Sequence, residues 1–451
     1  MKRLNGCFLF AVLTICGWGA DKQTEKYSEE LLKKAELGDP ESQYYLGRIY
    51  RCGDGVSKNE QEAIKWYFKS AEQEFPKAMS QIGWYYLNNK IDNPLQNPAI
   101  TKAVPEMSFT KSISITNQPL HYQKALAWLM KAAEKQEPNA KYLIGEMYAK
   151  GTGVEKNEVE AVKWWEEAAS QNIIAAQGSL SFALMNGKGC EKNPKKAFDL
   201  IYKAATSTPQ CEGEKYFING AQFFLATYYY EGWGVEKDLS KSFDWAKKSA
   251  ESGTAAAQNM LGNLYNDGQG TQKNVDKAIE WYKKAASQKF PKAEYQLGYF
   301  YENGIGFEKD YKKAFDYYFD ASKKGLPEAQ NNLARLYYSG QGTTKNESEA
   351  FKNWLRSALQ TNCLAYGCLG MCYEDEIGVK KDYGEAVKWY KKGADADVPH
   401  ARYRLARCYE NGIGVEKNTE KAKLIYNELA MQNYETAKEA VLRLENKETN
   451  P

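Results

Sequence analysis

One string recurs nine times along this chain, once with Glu for its first glycine: Gly-x-Gly, three further residues, then Asn or Asp. It reads CGDGVSKN from Cys52, KGTGVEKN from Lys150, NGKGCEKN from Asn186, EGWGVEKD from Glu231 and DGQGTQKN from Asp267. It continues as NGIGFEKD from Asn303, SGQGTTKN from Ser339, DEIGVKKD from Asp375 and NGIGVEKN from Asn411. Between Gly232 and Gly412 the spacing is 36 residues throughout. The step from Gly187 to Gly232 is nine residues longer, and between Gly53 and Gly151 there is room for one more copy with a degenerate loop. Ten registers of one pattern rule out a single globular core. Each repeat of this length forms one small unit that buries its apolar face only by stacking on its neighbours.

Each copy reads as two helices. The first carries a small residue, then Leu-Gly or Leu-Ala, then an aromatic, as in Ala293, Leu297, Gly298 and Tyr301, or Ala329, Leu333, Ala334 and Tyr337. Spacings of four, one and three put these residues on one helical face. The second helix carries Ala278, Trp281, Tyr282, Ala285 and Ala286, or Ala386, Trp389, Tyr390, Gly393 and Ala394. Large rings beside Ala or Gly let two helices approach and interlock. The loop between them has its own logic. A glycine just past a helix end takes the left-handed conformation that closes the helix. The Asn or Asp that ends the string caps the next helix through its side-chain oxygen. Asn59, Asn157, Asn193, Asp238, Asn274, Asp310, Asn346, Asp382 and Asn418 fill that slot. Pro40, Pro76, Pro138, Pro291, Pro327 and Pro399 open first helices, where a missing N–H does no harm. Glu376 stands where the other copies have their first glycine, so a strained or differently closed turn is expected there.

These residues resemble the Sel1-like repeat family, a relative of the tetratricopeptide repeat. The likeness covers roughly residues 27 to 431: Leu-Gly-x-x-Tyr, then Gly-x-Gly-Val-x-Lys-Asn/Asp, then Ala-x-x-Trp-Tyr. It implies an all-α fold, a right-handed superhelical α/α solenoid of about ten two-helix repeats with first helices on the concave side. It also implies a scaffold or adaptor role, in bacteria often on exported proteins and tied to cell-envelope or host-facing processes.

The chain divides accordingly into a leader at 1–20, a solenoid at 21–446 and a polar tail at 447–451. Lys2 and Arg3, the apolar run from Cys7 to Cys16, and small residues Gly17, Gly19 and Ala20 have the layout of a secretory signal peptide. A membrane anchor fits less well, because Leu4 to Ala20 is short for a span and contains Asn5. Lipidation at Cys16 is a second alternative, disfavoured by the large Ile15 before it. No later apolar run is long enough to span a membrane, so the expected location is secreted or periplasmic. Two insertions interrupt the array. The one at 88–120 carries Pro94, Pro98, Pro105 and Pro119; the one at 207–216 lengthens the link before the fifth copy. Insertions in solenoids map to edges, either as binding loops or as tolerated excursions. A last helix from Tyr434 to Leu444 is expected to cap the stack.

A net charge of +3 offers no basic face for nucleic acid. Seven cysteines follow the leader, an odd number, and their positions do not read as a disulfide framework. Cys372 and Cys408 occupy the slot of Leu264 and Leu336, and Cys190 stands where other copies have Val, so these read as small core residues. A bridge between Cys363 and Cys368 is a weaker alternative. The two histidines, His121 and His400, are far apart, and no His/Cys cluster has metal-ligand spacing, so neither metal nor cofactor is expected. The glycine strings look like phosphate cradles ahead of a helix. Nine near-copies would then mean nine nucleotide sites, and the structural reading is preferred. Some cysteine-rich exported members of the family resemble penicillin-binding proteins in activity. That chemistry wants Ser-x-x-Lys with Ser-Asp-Asn and Lys-Thr-Gly partners. Only Ser108 to Lys111 matches, inside an insertion. A non-enzymatic binder of a protein or peptide is therefore the leading reading, with a cell-envelope enzyme or cell-wall-fragment binder as the alternative.

The binding face is expected on the first helices. With Leu297 and Gly298 as the packed pair, residues two before, two after and five to six after Leu297 face away from the neighbouring helix and the next repeat. Across the copies these are Tyr44, Arg48, Arg51, Trp84, Tyr142, Glu146, Tyr295, Tyr299, Glu302, Arg335, Tyr338, Tyr403, Arg407 and Glu410. Six of the nine arginines lie in first helices: Arg48, Arg51, Arg335, Arg402, Arg404 and Arg407. Tyr, Trp and Arg dominate protein interfaces, and Arg grips carboxylates with two parallel hydrogen bonds. The alternative is that the tyrosines fill gaps between helices and the arginines make local ion pairs.

Produced with its own leader in a host that exports it, the mature chain should begin near Asp21. N-terminal sequencing of the exported material checks this; intact Met1 in the cytosol contradicts it.

Overall fold

The computed structural model describes residues 27–89, 119–209 and 212–449. Among these residues every regular element is a helix. Up to Thr254 one compact unit holds α1 (Glu29–Glu36), α2 (Pro40–Cys52), α3 (Glu60–Glu72), α4 (Pro76–Leu87), α5 (Leu120–Glu134) and α6 (Pro138–Lys150). The same unit contains α7 (Glu158–Ser170), α8 (Ile174–Asn186), α9 (Pro194–Thr206), α10 (Glu212–Glu231) and α11 (Leu239–Glu251). From Ala255 a second unit holds α12 (Ala255–Asp267), α13 (Val275–Ser287), α14 (Pro291–Asn303), α15 (Tyr311–Lys323), α16 (Pro327–Ser339) and α17 (Glu347–Leu359). It closes with α18 (Leu364–Asp375), α19 (Tyr383–Asp395), α20 (Pro399–Asn411), α21 (Thr419–Met431) and α22 (Glu435–Thr449). Helices α2 to α21 form ten pairs, the even member first in each repeat. Within each unit a helix packs chiefly on its neighbours in sequence. First helices of successive repeats also meet, at α4/α6 and α8/α10 in one unit and at α18/α20 in the other. The fold is an all-α repeat solenoid.

The local code works as its chemistry requires. All nine Asn and Asp caps accept a backbone N–H from the first turn of the second helix, as Asp382 does from Glu385 at 2.9 Å. Each such cap contributes about 1 kcal/mol. The six prolines stand at the first residue of α2, α4, α6, α14, α16 and α20. Glu376 closes α18 with φ of 62°, the same left-handed cap that glycine supplies elsewhere. The turn is not differently closed. It carries the strain of a β-carbon in that region, about 1–2 kcal/mol.

In five of the strings the second glycine, Gly189, Gly234, Gly342, Gly378 or Gly414, has a separate task that the sequence reading did not assign. Gly342 has φ of 72°, and a β-carbon on it would run into the carbonyl of Tyr311, at the start of the second helix of the preceding repeat. Gly414 stands in the same relation to Tyr383. Backbone is pressed on backbone where one repeat rests on the next. By contrast, a β-carbon on the first glycine, Gly304, would sit at ordinary contact distance, 3.6 Å from Lys309 Cβ.

Cys372 and Cys408 are fully buried in the core, as expected of small apolar residues, and Cys190 is half-buried. The thiols of Cys363 and Cys368 are free. Burial pushes the Cys408 thiol up to about 12, so it stays protonated. Two boundaries change. The insertion at 207–216 does not remain a link, because α10 begins at Glu212 and has 20 residues where other first helices have 12 or 13. The last helix runs on to Thr449, past Leu444 and into the segment read as a polar tail. Most of the insertion at 88–120 and all of the leader at 1–20 lie outside the described residues.

The two glycines should differ in mutational cost. Gly304→Ala should lose about 1 kcal/mol through its positive φ alone. Gly342→Ala, which must also move a neighbouring backbone, should lose 3 kcal/mol or more. Urea unfolding of the two variants side by side measures the difference.

Candidate interaction surface

The inner positions of the first helices do not form the open row that periodicity suggested. Tyr44, Trp84 and Tyr142 are 2%, 4% and 1% exposed, and Arg51, Glu146, Glu302 and Glu410 are buried as well. The expectation that these seven face away from their neighbours is corrected. The cause is the close stacking of repeats: the ring of one first helix reaches the next helix pair before it reaches solvent. Tyr44 packs on the rings of Tyr67 and Phe75 at 5.7 and 5.5 Å. Trp84 lies against Tyr85 at 5.2 Å and under the guanidinium of Arg51 at 5.9 Å. Arg51 donates to Gln81 Oε1 at 2.9 Å, across one repeat boundary.

The buried glutamates hold a network that the sequence reading missed. Glu302 accepts the hydroxyl of Tyr318 at 2.8 Å and pairs with Arg335 of the following repeat. Glu374 accepts from Tyr390 at 2.5 Å and pairs with Arg404 at 3.4 Å. Glu410 accepts from Tyr426 at 3.0 Å and pairs with Arg443 at 2.7 Å. Glu302 and Glu374 thus tie their own second helix to the next repeat, and Glu410 ties its own to the closing helix α22. The acidic partner and burial push the phenols of Tyr318, Tyr390 and Tyr426 well above the ordinary range, with burial the larger cause. They remain hydrogen-bond donors at any working pH. Glu146 meets a different pair, Ser179 at 3.1 Å and Lys150 at 2.8 Å. The sequence did carry a signal for this network: Glu302, Glu374 and Glu410 each stand 16 residues before a tyrosine.

Seven of the fourteen positions keep access to solvent. Tyr299 is 42% exposed, and the Arg335 side chain 43%. Arg48, Tyr295, Tyr338, Tyr403 and Arg407 are half-buried. Arg48 lies over the Tyr45 ring at 5.7 Å. Tyr403 packs between Tyr426 and Tyr434 at 5.6 and 5.8 Å, so it supports the end of the stack as well as facing outward. Among the described residues Arg407 makes no ion pair. The second helices show a contrasting surface. Many of their exposed lysines are engaged locally, either with a carboxylate on the same helix, as Lys388 with Glu385, or over a ring, as Lys284 over Trp281 at 3.8 Å and Lys392 over Trp389 at 4.1 Å. Among the described residues no group of His, Cys, Asp and Glu is arranged to hold a metal ion, and no helix is long and apolar enough to cross a membrane.

Comparison with known proteins agrees with this architecture. The Sel1 repeat matches nine segments: 40–75, 138–173, 174–208, 220–254, 255–290, 291–326, 327–362, 364–398 and 399–434. The pair α4/α5, outside those segments, packs in the same way, with Leu129 against Gly83. A solved structure of a protective antigen present in uropathogenic Escherichia coli strains, displaying an SLR fold, is 28% identical. It superposes with a TM-score of 0.64, covering 92% of this chain and 81% of that one. Chitin synthase regulatory factor 3 of Schizosaccharomyces pombe is 28% identical over 40% of this chain and 17% of its own length. The exopolysaccharide production negative regulator of Rhizobium meliloti is 27% identical over 32% of this chain and 49% of its own. The chain thus spans less than half the length of these two curated relatives.

If the glutamate network is structural, removing one acceptor should be costly. Glu374→Ala leaves the Tyr390 hydroxyl without its acceptor and Arg404 with only the longer 3.9 Å pair to Asp375, and should lower stability by about 2–4 kcal/mol. Glu374→Gln keeps an acceptor and should lose less. Thermal unfolding of both variants checks the order.

Proposed function

The chain belongs to the Sel1 repeat family, and from that premise we propose that it is an exported adaptor that captures a partner protein or peptide on the inner, first-helix face of its repeats. The carrying observation is the contrast between its two surfaces. Many second-helix lysines are engaged in local pairs or lie over their own tryptophans. The first helices leave rings and guanidiniums accessible at Arg48, Tyr295, Tyr299, Arg335, Tyr338, Tyr403 and Arg407. Half-buried Tyr and Arg supply large contact area with little side-chain entropy to lose. The arginines favour a partner segment that presents carboxylates. Regulatory names among the relatives, the chitin synthase regulatory factor and the exopolysaccharide regulator, are consistent with an adaptor that acts through other proteins. Location outside the cytoplasm, secreted or periplasmic, is part of the proposal and rests on the leader-like first twenty residues.

The test is a crosslinking pull-down from envelope extract with the folded chain, wild type against Tyr299→Ala combined with Arg407→Ala. Neither side chain supports the core, so the melting temperature should move by no more than about 2 °C. Capture of the partner should fall at least tenfold, about 1.4 kcal/mol. Normal capture by the variant, or loss of capture in step with stability, would remove this face from the proposal.

A further inference from the structure

Seven of the ten helix pairs seat a large ring from the second helix on a small residue of the first; the α8/α9 pair does not, and a cavity lies there. In the first helices the tight slot is Gly47, Gly145, Gly262, Gly298 and Gly370, and the residue seated on it from the second helix is Tyr67, Trp165, Tyr282, Tyr318 and Tyr390. In the pair α8/α9 the same two slots hold Ser181 and Ile201. A third slot, filled by Tyr44, Tyr142, Tyr295 and Tyr403 in other repeats, holds Gly178 here. Two rings are thus absent from a space that elsewhere they occupy. The residue facing the missing hydroxyl has changed with them: where Glu302 accepts from Tyr318, this repeat has Met185. A cavity of about 310 Å³ results, within the range of small-ligand pockets. Phe182 and Met185 line it from α8, Phe224 from the lengthened helix α10, and Trp233 from the glycine loop after α10.

The polar groups of this cavity are few and directional. Ser181 Oγ lies 2.8 Å from the carbonyl of Ala197 and 2.8 Å from Tyr228 Oη. A carbonyl only accepts, so the Ser181 proton goes to Ala197 and Tyr228 donates to Ser181. Tyr228 Oη is left with an acceptor lone pair and no proton to give. Burial pushes this phenol up to about 12, which keeps it neutral. Lys192 is part of the lining, which contains no carboxylate. Lys188 Nζ stands 5.4 Å from the centre of the Phe182 ring, giving a second cation beside the same wall. The cavity asks for a flat apolar group that donates one hydrogen bond and arrives with negative charge around it.

We propose that this cavity is an anchor pocket for a tryptophan side chain of a partner segment in which acidic residues flank the tryptophan. The indole fills the space of the two absent rings, its N–H meets Tyr228 Oη, and the flanking carboxylates lie near Lys192 and Lys188. This deepens the adaptor reading and rests on it, but occupies a different place from Tyr299 and Arg407.

The probe is the peptide acetyl-Glu-Trp-Glu-amide, titrated into the full chain by calorimetry. Saturable binding at sub-millimolar concentration is expected. Binding should be at least tenfold weaker for acetyl-Glu-Ala-Glu-amide and at least threefold weaker for acetyl-Lys-Trp-Lys-amide. Lys192→Glu should narrow or reverse that charge preference. The double variant Ser181→Gly with Ile201→Tyr rebuilds the Gly–Tyr pair found in four other repeats and fills the cavity. It should keep or raise the melting temperature and weaken the peptide at least tenfold. Phe182→Ala, which removes one wall at a half-exposed position, should weaken it as well, and serves if the double variant does not fold. No saturable binding of the Trp peptide up to about 5 mM, equal binding of the Ala peptide, or undiminished binding by the filled or wall-less variants overturns the pocket. The Tyr299→Ala, Arg407→Ala protein should bind the peptide normally. Loss of envelope capture there with intact peptide binding is the result expected if both readings hold; normal capture with intact peptide binding counts against the adaptor face alone, and lost capture with no binding of the peptide by the wild type counts against the pocket alone.

Discussion

The close seat of one large ring on one residue without a side chain governs this structure. Tyr318 lies on Gly298, Tyr282 on Gly262 and Tyr390 on Gly370, each so near that a β-carbon could not be added without displacing the ring. This contact sets how near the two helices of a repeat lie, and therefore where every other side chain on them points. Overpacking such a contact costs about 1–3 kcal/mol. A second close contact, the backbone of Gly342 on the backbone at Tyr311, sets how one repeat rests on the last. Where the first contact is relaxed, at Ser181 and Ile201, the same geometry leaves space in place of a ring.

Polar groups then fix register inside this apolar frame. Gln73 donates to Gln43, Gln288 to Gln258 and Gln360 to Gln330, at 2.9, 2.8 and 2.9 Å, joining the end of a second helix to the start of its own first helix. Ser70 and Ser357 donate to the carbonyls of Pro40 and Pro327 in the same relation. The buried glutamates do the corresponding work between repeats. A buried carboxylate is costly unless its lone pairs are satisfied. Here a tyrosine hydroxyl and a cation meet each of Glu302, Glu374 and Glu410, so the charge specifies which repeat face fits which.

This division of labour decides what is left for recognition. Arginines divide between holding repeats together, as Arg404 does, and facing solvent beside the stack, as Arg407 does. Tyrosines divide in the same way between Tyr142, fully buried, and Tyr299, exposed. Residue type alone does not separate the two groups. What separates them is whether the adjacent repeat brings a ring or a carboxylate into reach. The lysines of the second helices, by contrast, lay their stems along their own rings and keep their charge in water.

The helix pairs, their caps, their proline starts and the small apolar role of Cys372 and Cys408 were legible in the sequence, because each is decided within about a dozen residues of chain. A helix cap needs only its own turn, and a face needs only the 3.6-residue period. The glycine pressed on the previous repeat and the burial of Tyr44, Trp84, Tyr142 and Glu302 were not legible in this way. They depend on partners some 20 to 40 residues away, as Arg335 on Glu302 and Gln81 on Arg51. So does the cavity at Ser181 and Ile201, which periodicity reads as two ordinary core positions. The sequence by itself determined what each repeat is. The tertiary structure alone decided which side chains stay free, because neighbouring repeats compete for the same space, and the larger ring or the better-paired charge takes it.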